Sequence, residues 1–527
     1  MQSLKFTTPS VQPRLYLYNN NTIDTLQLHH GMDVYFGASQ TQTLKSLAGN
    51  GLCTRLIDLF STSTGTQATL TDASGTNSLN FINFRDIRAQ GGALWEASNV
   101  NTNINNTGWT IGAPPPINYY WVGGTGNWND LAKWSLSSGG PSAGCLPTTL
   151  DNVIFDVNSF NATGQSVNLV GSAVCRNMTW TNGVTLNPTL QGNFQMEIQG
   201  DLQVNGTMTW VQNANLIARG DFILSNSTTW NHNFQIQFYS DSTNNTLNTA
   251  AKTMLQSIFF DARTTGSGPK WTLASDLNIN SSYSLNILEG QFVSDGYEIN
   301  AGAEFLANTG TDVRIINLTG TDTLRMRYAY RMTTSANTSY IHGNSTILIN
   351  TSSLESIVFE GGNKTYYDVA IRHGSASSST YDITFTGNNT IRDLFVQTLS
   401  ASGVRRLYYN NSSTFRHVNI DHFGTNQLQN YFQTGPHTFS NYVVETFSTG
   451  NAYLEMNSNN SFNTLDLPNG FTMVIASSRT QTTSNFIPRS SCLRRSTISG
   501  NNSTNSIISQ ASGTVNTEWI TLQNHRV

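Results

Sequence analysis

The 527-residue chain reads as an all-β protein: a parallel β-solenoid (β-helix) with coils of about 20–25 residues, set in long tandem modules of about 440 residues. Three observations predict this. Short stretches alternate apolar and polar residues with period 2, the mark of strands with one buried face. A short pattern recurs through the C-terminal part. A much longer stretch recurs after 439 residues.

The short pattern is a Gly/Asn turn, Thr or Ser, an aromatic or aliphatic residue, two variable residues, then alternating apolar positions. It reads "NKTYYDVAI" (363–371), "NNTIRDLFV" (388–396), "SSTFRHVNI" (412–420), "PHTFSNYVV" (436–444) and "NNSFNTLDL" (459–467). The anchors Tyr366, Ile391, Phe415, Phe439 and Phe462 are 25, 24, 24 and 23 residues apart. A short alternating strand precedes most of these turns, as in "SIVFEGG" (356–362). Strand, turn, strand, turn on this period predicts coils stacked at about 4.8 Å, pairing parallel strands around one apolar column. Upstream, "GDLQVNGTMTW" (200–210) returns as "GDFILSNSTTW" (220–230), matching Gly200 with Gly220, Asp201 with Asp221 and Trp210 with Trp230.

The long period sets the organisation. "NNTIDTLQLHHGMDVYFGASQTQT" (20–43) matches "NNSFNTLDLPNGFTMVIASSRTQT" (459–482), after which Cys53 meets Cys492 and Arg55 meets Arg494. With one deletion, "ASGT" (73–76) meets "ASGT" (511–514). Residues 1–111 then read as the C-terminal part of one module, whose last strand ends near Trp109 and Thr110. A stiff Pro-rich linker occupies 112–118, with Pro114, Pro115 and Pro116. A Trp/Gly-rich module-opening cap spans 119–180, and 181–527 is the solenoid of the second, incomplete module. The chain is thus expected to be a segment of a larger repetitive polypeptide, consistent with the lack of a signal-peptide pattern after Met1.

Composition excludes several classes. Charged residues make up 11% of the chain, against roughly 25% in ordinary soluble proteins. Lysine is confined to positions 5, 45, 133, 252, 270 and 364. A net charge of −4 without a basic cluster argues against a nucleic-acid partner. No apolar run is long enough for a helical membrane span. A hydrophobic share of 37%, with 10% aromatic residues, argues for a folded chain.

"YYWVGGTGNWNDLAKWS" with "PTTLDNVIFD" resembles the module-opening motif of very large, repetitive secreted surface proteins of Bacteroidetes-type bacteria, adhesin-like in character. The resemblance is most specific over 105–180, including "CLPTTLDNVIFDVNSF" and "AVCRNMTWTN". It implies an extracellular or bacterial cell-surface location, export by the type 9 route, and adhesion or filament roles. It brings no catalytic residues.

Candidate sites are few. Cys145 and Cys175 are a candidate disulfide, with two buried thiols as the alternative; no C-x-x-C pair points to structural zinc. Trp121, Trp128 and Trp134 are candidate glycan contacts, since flat rings suit sugar faces, while packing of the cap is the preferred reading. Asp130, Asp151 and Asp156 are candidate Ca²⁺ ligands, although their spacing does not match an EF-hand loop and an Asx turn explains Asp151 equally well. No other cofactor is expected. "GGTGNW" lacks the lysine of a phosphate-binding loop. "RHVNIDH" (416–422) places His417, Asn419 and Asp421 on one strand face and His422 on the other, read as an outward polar face. No acidic pair is seen to recur in register and no triad pattern occurs, so no catalysis is expected.

The expected role is a structural or adhesive rod. Its partners would be further modules of the same polypeptide, a homo-oligomer, or surface glycans or target cells. The alternatives are a glycan-binding module and a β-helix polysaccharide-degrading enzyme or tail-spike-like depolymerase.

Overall fold

The computed structural model describes residues 4–5, 13–112, 116–262, 268–352, 355–374, 379–399, 403–446, 450–501 and 506–526. Pro114 and Pro115 of the linker lie outside the described residues. The chain forms two compact units, Met1–Ala162 and Thr163–Val527. The division falls inside the stretch read as the module-opening cap. Both units are β-solenoids of stacked parallel strands, and the one helical element among the described residues is the 3-10 turn Leu131–Lys133.

In the first unit each coil has three sides. The chain runs from Arg14–Leu17 to Asn21–Ile23 to Leu26–His29, then repeats with Asp33–Phe36, Thr41–Leu44 and Leu47–Asn50. Each strand pairs in parallel with its counterpart one coil on: Leu17 faces Phe36, Ile23 faces Leu44, and Leu26 faces Leu47. The alternation seen in sequence becomes burial, with Leu26, Leu28, Val34 and Phe36 fully inside. The coils above and below supply the hydrogen-bond partners of each strand's backbone. Two sides merge in the ten-residue strand Thr76–Arg85. Its first half pairs with Ala48–Asn50 and its second with Ile57–Phe60. Phe81 turns the corner between them at φ +52°. Gly51 packs beneath that corner, where a Cβ would lie 2.2 Å from the Phe81 carbonyl oxygen, so only glycine fits.

In the second unit one side is a continuous 16-stranded sheet, from Ala173–Cys175 to Ile520–Gln523. At the usual strand spacing that sheet spans roughly 70 Å. The coils are three-sided as far as Thr338–Ile341; beyond it the third-side strands lengthen to nine residues, as in Thr365–His373, Thr390–Thr398 and Thr414–His422.

The sequence repeats are the structural register. Tyr366, Ile391, Phe415, Phe439 and Phe462 lie opposite one another in successive coils. The rings of Phe415, Phe439 and Phe462 stack at 5.1 and 5.0 Å, nearly parallel. The two variable residues after each anchor are a corner: burial skips from Tyr366 to Val369 before alternation resumes. Trp210 likewise sits opposite Trp230, with ring centroids 5.2 Å apart.

The 439-residue period recurs inside each unit in matched hydrogen bonds and backbone angles. Asn21 Nδ2 donates to Gln42 Oε1 at 2.8 Å, and Asn460 Nδ2 to Gln481 Oε1 at 2.9 Å. Gln42 Nε2 donates to the Asn19 carbonyl and Gln481 Nε2 to that of Ser458, both at 2.8 Å. Left-handed backbone recurs at Ser39 and Ser478 and, after the one-residue deletion, at Phe81 and Trp519 and at Asp86 and Asn524. Side chains other than glycine rarely adopt such φ values, so their recurrence marks one backbone path used twice.

Candidate functional site

The Trp/Gly stretch folds into a small cap in the first unit. Asn118–Trp121 pairs antiparallel with Trp134–Ser135 and parallel with Asn152–Phe155. Trp121 and Trp134 meet edge to face at 5.0 Å, and Trp128 meets Trp134 the same way at 4.9 Å. Trp121 Nε1 donates to the Gly124 carbonyl and Trp134 Nε1 to that of Trp128, each at 2.7 Å. All three rings are buried. The reading of these tryptophans as a sugar platform is corrected accordingly: a ring with no exposed face has nothing to offer a pyranose. Gly123 and Gly124 adopt positive φ, and Lys133 Nζ caps the loop by donating to the Gly123 carbonyl at 2.7 Å. No helix N-terminus stands behind this loop, only the three-residue turn Leu131–Lys133. It therefore lacks the donors of a phosphate site.

The three aspartates are turn caps. Asp130 Oδ1 accepts from Ala132 N at 2.9 Å, at the start of that turn. Asp151 accepts from Thr148 N, Thr148 Oγ1 and Ile117 N. Asp156 accepts from Asn158 N and Ser159 Oγ. Among the described residues no three His, Cys, Asp or Glu side chains gather as a metal cluster, so Asp130, Asp151 and Asp156 are not brought to one point.

The disulfide differs from the expected pair. Cys145 bonds to Cys53, 92 residues earlier, and Cys175 is a buried free thiol. Cys175 lies on the strand Ala173–Cys175 with its side chain inside the coil, where burial pushes the thiol pKa up. Sequence proximity favoured Cys175; the actual partner is set by the cap folding back on the Leu52–Arg55 turn, which no local pattern reveals.

The strand Thr414–His422 is laid out as the alternation predicts, with His417, Asn419 and Asp421 on the outer face and His422 inside. Asn441 Nδ2 and His417 Nδ1 lie 2.7 Å apart. The parallel register adds a feature that sequence reasoning missed: Asp421 lies opposite Glu445 in the next coil. Partial burial, then the Glu445 charge, raises the Asp421 pKa. Asp368 and Asp393 also lie opposite one another, but Arg392 bridges them, its Nη2 2.6 Å from Asp368 and its Nε 3.2 Å from Asp393. Arg416 adds a second partner for Asp393 at 2.6 Å, and the Arg392 guanidinium covers the Tyr367 ring at 3.3 Å. The signal was in the sequence, in aspartate and arginine positions offset by one coil.

Inside the coils runs a second polar column. His373, Thr398 and His422 are in register, with Thr398 Oγ1 and His422 Nδ1 2.8 Å apart. Burial lowers the pKa of His373 and His422, and drives His232 and His437 down to about 4. These histidines are neutral hydrogen-bonding parts of the core. No family model, curated protein or solved structure matches this chain.

Proposed function

We propose that the chain is a structural or adhesive rod segment of a large repetitive protein displayed outside a bacterial cell, where it spaces or presents adhesive parts and performs no catalysis. The observation that carries this reading is the double use of one coil path 439 residues apart, joined to an uninterrupted 16-stranded sheet. Stacked coils of this kind extend by adding modules, and each added coil lengthens the strand ladder without new chemistry. The Cys53–Cys145 bond fits an oxidising, extracellular setting. The resemblance of the cap motif supports surface export, with type 9 secretion as its route. Among the described residues no helix is long and apolar enough to cross a membrane. The test is antibody labelling of intact cells, combined with deletion of the coding segment. Surface labelling with loss of attachment is expected; labelling only after lysis would sink the proposal.

One observation favours a second reading, a β-helix enzyme acting on polysaccharide. Asp421 and Glu445 are two carboxylates on adjacent coils, one with a raised pKa, the kind of pair that acid–base cleavage of a glycosidic bond needs. Reducing ends released by the chain, and abolished by both Asp421→Asn and Glu445→Gln, would establish it.

A further inference from the structure

The two copies of the repeated turn differ in one respect. In the first, Leu52 and Arg55 exchange backbone hydrogen bonds at 3.0 and 2.9 Å. In the second, Ser491 and Arg494 do the same at 3.1 Å each. Gly31 and Gly470, both at positive φ, pack against the Arg55 and Arg494 guanidinium groups. The cysteine at the tip of the first turn, Cys53, is bonded to Cys145 of the cap, and the cap's Gly144 packs beside Thr54. The cysteine at the tip of the second, Cys492, is exposed and free, and its neighbour Leu493, which replaces Thr54, is 92% exposed.

The second copy thus keeps the turn and its cysteine with the thiol free, where the first has its thiol bonded to a cap.

We propose that Cys492 is a disulfide half-site for a further module-opening cap, of the type that residues 119–162 form, carried by the same polypeptide. This rests on the tandem-module reading of the chain. The bond forms by thiol–disulfide exchange with a dithiol–disulfide oxidoreductase. The Cys492 thiolate attacks the oxidant's disulfide and releases one of its thiols. The cap cysteine's thiolate then attacks the Cys492 sulfur and releases the other. Two cysteine thiols lose two protons and two electrons, and the oxidant's disulfide becomes a dithiol. Each module end is in this way locked to the next module's opening, as Cys145 is locked to Cys53.

The experiment is alkylation of the native polypeptide without reductant, followed by non-reducing peptide mapping. Cys492 is expected to resist alkylation and to appear in a peptide cross-linked to a cysteine in a sequence like "SAGCLPTT". The Cys492→Ser variant, at an exposed position that packs no core, is expected to leave that cap cysteine alkylatable. Alkylation of Cys492 in the native protein, a Cys492–Cys492 link or a small-thiol adduct would each overturn the inference. A fibre of repeated caps with Cys492 free would remove this inference alone, whereas a polypeptide with no second cap would remove the tandem reading with it.

Discussion

Replacing Phe439 by alanine removes the middle ring of a three-ring stack. Phe439 is buried, with Phe415 at 5.1 Å and Phe462 at 5.0 Å above and below it and Tyr442 edge-on at 5.1 Å. Truncating a buried phenylalanine costs about 3–5 kcal/mol. The upper half of that range is expected, because each ring pair contributes about 0.5–1.5 kcal/mol beyond burial and the coils cannot collapse without breaking strand register. Phe395 provides the control. It lies two coils back, on the strand Thr390–Thr398 of the same sheet, but points outward and is 47% exposed, so Phe395→Ala leaves no cavity and costs about 1 kcal/mol or less. The assay is urea denaturation of both variants, with hydrogen exchange to localise the loss, since coils of a solenoid need not unfold as one. Protection should fall around Thr414–Thr446 in Phe439→Ala. Equal destabilisation by the two variants, or a larger effect from Phe395→Ala, would refute the inside–outside assignment.

Trp134→Ala should unfold the cap at a cost of about 3–5 kcal/mol rather than weaken any ligand, read as loss of the near-ultraviolet signal of its packed indoles. Cys53→Ser opens a loop of 92 residues, and the chain-entropy model gives about 4–5 kcal/mol for its closure, checked by comparing midpoints with the oxidised parent. Cys175 should stay inert to thiol reagents until the second unit unfolds, because burial both shields it and holds it protonated. His232 and His437, held at about 4 against an ordinary 6.5, make the unfolded chain bind more protons between those values. Their contribution is therefore complete above pH 6.5 and is lost as pH falls toward 4, up to about 3 kcal/mol each; a denaturation midpoint flat across that window would contradict it.

Much of this architecture was legible in the sequence because a solenoid writes its geometry locally. The anchors from Tyr366 to Phe462 lie one coil apart, and stacking requires like residues at like positions, so spacing alone set the register. The two variable residues after each anchor were visible but not understood as a corner, since a corner differs from a strand only in burial. What stayed hidden depends on chain paths that no local pattern encodes. Cys145 meets Cys53 because a cap folds back on a turn 92 residues away. Asp421 and Glu445, by contrast, sit at the same offset from Phe415 and Phe439, so the anchor register already placed them together and the pair was overlooked rather than hidden. The cap tryptophans could be weighed only as a balance of roles until their burial was known. The second copy of Asp86 at Asn524 was masked by divergent side chains and emerges from the backbone, where both hold φ near +60°.

The central claim, that stacked coils make an extending rod, is tested most directly by measuring the mass and the contour length of the native, unproteolysed polypeptide by electron microscopy. The account predicts a thin fibre whose length grows with mass by about 4.8 Å for every 20–25 residues. A native chain ending near 58 kDa, or a longer one folded into a compact particle whose length does not scale with mass, would contradict it.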